Sequence, residues 1–214
     1  MRSLSQAQLL RIAIPGAVLS ADLVIPANAR GIVLFAHGSG SSRHSHRNQL
    51  VARVLQQSDF GTLLMDLLTT EEVHLDNQTR ELRFDIELLA NRLTDTVKWA
   101  AEHPYMKGLP IGVFGASTGA AAALVAAARR PDLAGEALKK VKAPTMLIVG
   151  GYDDAVLVLN EQAKKEMTGE VTLKVVPRAT HLFEEPGALA QVADYAADWF
   201  SGTLKQEEQI TKNK

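Results

Sequence analysis

The sequence predicts an α/β domain on a mostly parallel sheet, and three observations carry that prediction. Strand-like and helix-like segments alternate along the chain. The runs GIVLFA and GTLLM are continuously apolar, as in strands covered on both faces. Several of the strand-like runs stop at glycine, where the chain must turn sharply into the next element.

The elements follow in order. LLRIAIPGAVLSADLVIP alternates around a Pro-Gly break and reads as two antiparallel strands. Pro26 and Asn28 make a turn before the buried strand GIVLFAHG. Residues 47 to 57 have helical spacing of Leu50, Val54 and Leu55, and GTLLMDLL is a second buried strand. One long helix is expected from about Asn77 to Glu102, with Leu82, Ile86, Leu89, Leu93, Val97 and Trp99 along a face, ended by His103-Pro104. IGVFG, an Ala-rich helix, a short helix over Leu133 to Lys140 and the strand TMLIVGG come next. The remainder reads as a helix at Leu157 to Met167, the strand VTLKVV, a loop holding His181 and a helix from Ala188 to Phe200. The tail KQEEQITKNK is polar and expected to fray. One domain over 1–204 is the expected organisation.

Composition narrows the function. The 214 residues carry a formal net charge of −1, so there is no basic field for nucleic acid and no polybasic membrane patch. No cysteine is present, which removes disulfides, thiolate metal sites and a cysteine nucleophile. The N-terminus lacks the pattern of a signal peptide, and no apolar run approaches the roughly 20 residues of a membrane helix. A cytoplasmic protein is the expectation.

Ligands of such sheets bind beyond the carboxyl ends of the strands. There the sequence places His37-Gly38-Ser39-Gly40, Gly115-Ala116-Ser117-Thr118-Gly119, Gly150-Gly151-Tyr152-Asp153-Asp154 and Pro177-Arg178-Ala179-Thr180-His181. A serine, an acid and a histidine thus stand at successive strand ends in the order of the α/β-hydrolase triad, with the serine in a Gly-x-Ser-x-Gly elbow. Gly115 and Gly119 leave room for the strained turn. Ser117 is the candidate nucleophile, His181 its base, and Asp153 the group that orients the imidazole. The amides of Thr118 and Ser39 are the candidate oxyanion donors.

Other readings of the same residues are weaker. No lysine follows Gly119 as in a Walker loop, and the glycines at 112, 115 and 119 do not make a dinucleotide fingerprint. His44 and His46 lack a nearby acid, and His37, His74 and His103 form no ligand set, so neither metal nor organic cofactor is expected. Arg43 and His44, with Arg47, are candidates for contacting an anionic substrate at the pocket mouth.

The segments FAHGSGSSRHSHRNQLVA, TLLMDLLTTEE, LRFDIELLANRL, GVFGASTGAAAAL, APTMLIVGGYDDAVLVLN and ATHLFEEPGAL resemble the dienelactone-hydrolase-like α/β-hydrolases of bacteria, and in particular a subgroup that also occurs fused to phosphoribosyltransferase domains. The resemblance spans about residues 10 to 200. It implies an α/β-hydrolase fold and a triad at Ser117, Asp153 and His181, and the pattern GGxDxxVLxLN selects Asp153 over Asp154. Dienelactone hydrolases proper use a cysteine, so the serine here implies hydrolysis of a small carboxylic ester or lactone. A weakly active or non-catalytic binding domain and an acyl transferase are the alternatives. The family has a further strand between the elbow helix and the acid strand. AARRPDLAGEALKKVKAP holds only a turn and one short helix, which predicts a sheet one strand short, closed up by about one strand spacing, roughly 4.8 Å.

Overall fold

The computed structural model describes residues 4–128 and 137–204. Strands β1 (Leu4–Ile14) and β2 (Ala17–Ile25) form the antiparallel hairpin expected from the Pro-Gly break. They are followed by β3 (Gly31–Ala36), α1 (His46–Gln57) and β4 (Phe60–Met65). Every residue of β3 and β4 is buried, which accounts for their unbroken apolar sequence. β2 instead buries alternate residues along most of its length.

The long helix expected from Asn77 to Glu102 is in fact two helices. α2 (Thr70–Thr79) begins in a reciprocal capping box, Thr69 with Glu72, and ends at Arg80, whose φ of 59° is left-handed. A short 3₁₀ turn (Leu82–Phe84) leads to α3 (Ile86–Glu102), where the Asp85 carboxylate accepts the Leu88 amide at 2.9 Å. The apolar stripe concealed this break, because Leu82 lies on the turn yet still packs against the core.

β5 (Ile111–Gly115) leads into α4 (Thr118–Ala128), and α5 (Ala137–Lys140), β6 (Thr145–Gly150), α6 (Asp154–Glu166), β7 (Val171–Val176) and α7 (Ala188–Thr203) complete the order. Of the helix expected over Leu133 to Lys140, residues 133–136 lie outside the described residues, as does the tail from 205.

The strand order is β1-β2-β4-β3-β5, with β3, β4 and β5 parallel. β6 and β7 form a separate parallel pair. The sheet therefore does not close up where a strand is short. Among the described residues no sheet pairing joins β5 to β6, and all five residues of β5 are half-buried, although their sequence is that of an interior strand. The two parts are tied together through α7, where Val176 and Ala179 share one apolar cluster with α7, α1, β3 and β4, and through α4, where Ala128 clusters with Val141, Met167 and Val171. A second cluster on the other face joins α3 and α4 to β1–β4. No helix among the described residues is long and apolar enough to cross a membrane.

Candidate active site

The elbow is built by close approach. Ser117 has φ +52°, a left-handed conformation that a non-glycine residue adopts at a cost. The Ala116 amide donates to the Ala36 carbonyl at 3.0 Å, and the Ser117 carbonyl already accepts from Ala120 at 2.9 Å, so the chain goes from strand to helix within two residues. A Cβ on Gly119 would lie 2.1 Å from the Ala36 carbonyl oxygen, and one on Gly115 would lie 2.6 Å from Cα of Ala120. Both glycines are therefore required sterically, the first by β3 and the second by α4.

The acid and the histidine come together through a different pair of loops. Gly151 and Tyr152 donate their amides to the Val176 and Ala179 carbonyls at 2.8 and 2.9 Å. Gly150 permits this, since a Cβ there would stand 2.3 Å from the Ala179 carbonyl oxygen. The result is a hydrogen bond of 2.6 Å between Nδ1 of His181 and a carboxylate oxygen of Asp153. Asp154, the neighbouring acid, opens α6 instead. Gly150 escaped the sequence reading; its signal was the Gly-Gly pair after the strand.

Ser117, Asp153, His181, Gly38 and Ser39 line one cavity of about 1770 Å³. Among the described residues the Ser117 hydroxyl makes no hydrogen bond to His181, so the structure brings two of the three residues into contact and the third into the same cavity. The Ser39 and Thr118 amides have no acceptor among the described residues, which leaves both free to donate. Among the described residues the Thr118 hydroxyl is buried without a hydrogen-bond partner, and Thr118 lines a second, smaller cavity of about 290 Å³.

The arginine and histidine expected at the pocket mouth behave otherwise. Arg43 is committed to two carboxylates: its backbone amide donates to Asp66 at 2.8 Å, its guanidinium pairs with Asp66, and its Nε lies 3.3 Å from Asp22. His44 is exposed, and neither residue lines the cavity with Ser117. Arg47 does, paired at 3.7 Å with Glu184. The sequence could not reveal that Arg43 sits opposite Asp22 and Asp66, since those partners come from β2 and the end of β4.

His37 has a role that the sequence reading passed over. Its Nδ1–H donates to the Gly38 carbonyl at 2.9 Å, and its Nε2 accepts the Leu67 amide at 3.1 Å. This neutral tautomer anchors the loop carrying Ser39 to the end of β4. Burial holds its pKa below the ordinary value, against smaller opposing effects of the Gly38 carbonyl and Asp66. Among the described residues no group of three or more His, Asp or Glu side chains could hold a metal ion.

No protein-family model matches the chain. It is similar to a dienelactone hydrolase of Anabaena variabilis of known structure, with 50% identity, a TM-score of 0.88, and coverage of 94% of this chain and 100% of that one. Two curated relatives from Mycobacterium tuberculosis, which carry the name phosphoribosyl transferase, are 55% identical over 195 residues. That match takes in 85% of this chain and 43% of theirs, so the chain spans less than half the length of these relatives. An esterase of Pyrococcus furiosus shares the fold at 16% identity and a TM-score of 0.70, covering 93% of this chain and 92% of its own.

Proposed function

We propose that this chain, which belongs to the dienelactone-hydrolase family of α/β-hydrolases, is a serine hydrolase of small carboxylic esters or lactones. The observation that carries the reading is the 2.6 Å bond from His181 to Asp153, facing the cavity that Ser117 lines from a strained elbow.

In the proposed reaction Ser117 Oγ attacks the ester carbonyl while its proton passes to Nε2 of His181. Asp153 holds Nδ1–H and stabilises the imidazolium. The negative charge on the carbonyl oxygen is received by the Ser39 and Thr118 amides, which need no other acceptor to release them. Collapse breaks the bond to the leaving oxygen, which takes the proton from His181; in a lactone that oxygen stays tethered to the acyl group. Water then attacks the acyl-serine, gives its proton to His181, and the acid departs as Ser117 recovers its hydrogen.

The second reading is a weakly active or non-catalytic binding domain. It is favoured by the absence, among the described residues, of a hydrogen bond between Ser117 and His181 and of sheet pairing between β5 and β6. A fluorophosphonate probe followed by intact-mass measurement separates the two. A hydrolase gives one adduct on Ser117 that His181→Ala suppresses, together with turnover of 4-nitrophenyl acetate. A folded protein with no adduct and no turnover supports the binding domain.

A further inference from the structure

One residue on the core face of α1 is polar where its neighbours are not. Asn48, Val51, Ala52 and Leu55 are the buried residues of this helix, and their spacing is that of a single helical face. Val51, Ala52 and Leu55 join the apolar cluster shared with α7. Asn48 is only 6% exposed, yet among the described residues its side-chain amide makes no hydrogen bond. Its backbone amide is engaged, donating to the Ser45 hydroxyl at 3.4 Å. A buried polar side chain rarely goes unpartnered, and leucine, of similar shape, would suit a purely structural position better. Asn48 lines the cavity that Ser117 lines.

The wall between the two is continuous. A Cβ on Gly38 would stand 3.2 Å from Cβ of Ser117, so the oxyanion loop starts against the nucleophile. The Gly38 carbonyl accepts the Ser41 amide at 3.2 Å, and the Ser42 carbonyl accepts the Ser45 amide at 3.0 Å. Ser45 then caps the helix at Asn48. Gly38, Ser41, Ser45 and Asn48 all line the cavity. Phe183, just past His181, lines it too and packs against the cluster to which Val51 belongs, one turn beyond Asn48.

The chemistry of the amide selects what it meets. Solvent in the cavity can hydrogen-bond it in the free protein. A substrate that displaces this solvent must bond the amide itself or leave it unpaired, and a site of that kind rejects an analogue lacking the matching group. Asparagine presents a donor and an acceptor side by side without charge, which matches a hydroxyl. The adjacent Arg47 faces Glu184 at 3.7 Å with its side chain 43% exposed, which leaves little field for a carboxylate.

We propose that Asn48 is a specificity-determining residue of this site, its side-chain amide hydrogen-bonding a hydroxyl group that the ester or lactone carries near the reacting carbonyl. The identity of the ligand rests on the hydrolase reading; the contact is tested by binding, apart from catalysis.

The probes are γ-butyrolactone, its α-hydroxy and γ-hydroxymethyl derivatives, and γ-carboxy-γ-butyrolactone. The hydroxyl is on the acyl side in the first derivative and on the alkoxy side in the second, so the pair locates it. Binding is measured by NMR titration of the full chain carrying Ser117→Ala, and kcat/KM on the chain without that change. One hydroxylated lactone should bind about tenfold more tightly than γ-butyrolactone, with a similar preference in kcat/KM. Adding Asn48→Leu should bring both ratios to about one. Asn48→Ala removes the amide without adding bulk and should do the same, which keeps the test open if the leucine variant fails to fold. The proposal is overturned by no binding of any probe, by equal binding of hydroxylated and parent lactones, by a preference that survives in the Asn48 variants, or by tighter binding of the carboxylate. A binding preference lost with Asn48, in a chain that turns over none of the lactones, upholds the contact and counts against the hydrolase reading alone.

Discussion

Gly119 shows how little slack the elbow has. The carbonyl 2.1 Å from its missing Cβ belongs to Ala36, on a fully buried strand that cannot retreat. Gly119→Ala should cost about 3 kcal/mol through overpacking. Gly202, exposed near the end of α7 with open space around its Cα, should gain about 0.5–1 kcal/mol as alanine. Urea titration of both variants checks the contrast, and an equal response at the two sites would refute it. His37 gives a second residue-scale expectation. Protonating it would turn Nε2 from acceptor into donor against the Leu67 amide. Its folded pKa lies below the unfolded value of about 6.5, so the unfolded chain binds the proton more readily. The stability it contributes is complete above that value and is lost as pH falls through the lowered folded pKa. His37→Gln should flatten this part of the curve of melting temperature against pH. His103, which burial shifts the same way, leaves a residual slope.

At the scale of elements, a partly buried ion pair joins α2 to α3. Arg92 of α3 is nearly inaccessible; it donates to the Leu67 carbonyl at 2.8 Å and forks onto Glu72, the acid of the α2 capping box. That pairing, the largest influence on Glu72, holds its carboxyl below the usual glutamate range. Glu72→Ala leaves the guanidinium buried without its charge partner and should cost about 3 kcal/mol, whereas replacing Arg92 and Glu72 together by methionine should recover most of the loss. Thermal unfolding of the single and double variants measures this, and a single-variant loss below about 0.5 kcal/mol would reduce the pair to a surface contact. This junction also marks a limit of what was legible in the sequence. β3, β4 and the elbow could be read because burial on both faces and steric need at Gly115 and Gly119 leave direct traces in residue type. Asp153 and His181 were likewise legible as strand-end residues. The split between α2 and α3 was not, because apolar spacing continues through the 3₁₀ turn and the caps are single polar residues. Arg43 was misread for a related reason: its partners Asp22 and Asp66 lie on other elements, and sequence spacing carries no information about them.

For the whole molecule, the separation of β6–β7 from the larger sheet should govern how the protein opens. The larger sheet is secured by two apolar clusters, one on each face. β6–β7 has no sheet pairing to it among the described residues and is held by Val176 and Ala179 in the cluster around α7 and by a smaller cluster in which Val141, Met167 and Val171 meet Ala128 of α4. Phe200 is central to that hold: its ring stands 6.3 Å from that of Phe60, and it packs so closely on Gly112 that a Cβ there would lie 2.6 Å away. Opening of β6–β7 therefore exposes less apolar surface than global unfolding and should occur at lower free energy. In native-state hydrogen exchange over a urea series, β3 and β4 amides should exchange only through global unfolding, with β6 and β7 exchanging through a smaller, less urea-dependent opening. Phe200→Ala should destabilise the whole by about 3–5 kcal/mol. It should also bring the β6–β7 opening closer to the folded state, loosening Asp153 and His181 while β3 and β4 remain the last strands to exchange. A single free energy and slope shared by β3, β4, β6 and β7 would mean that the contacts through α7 and α4 suffice to make the two sheets one cooperative unit.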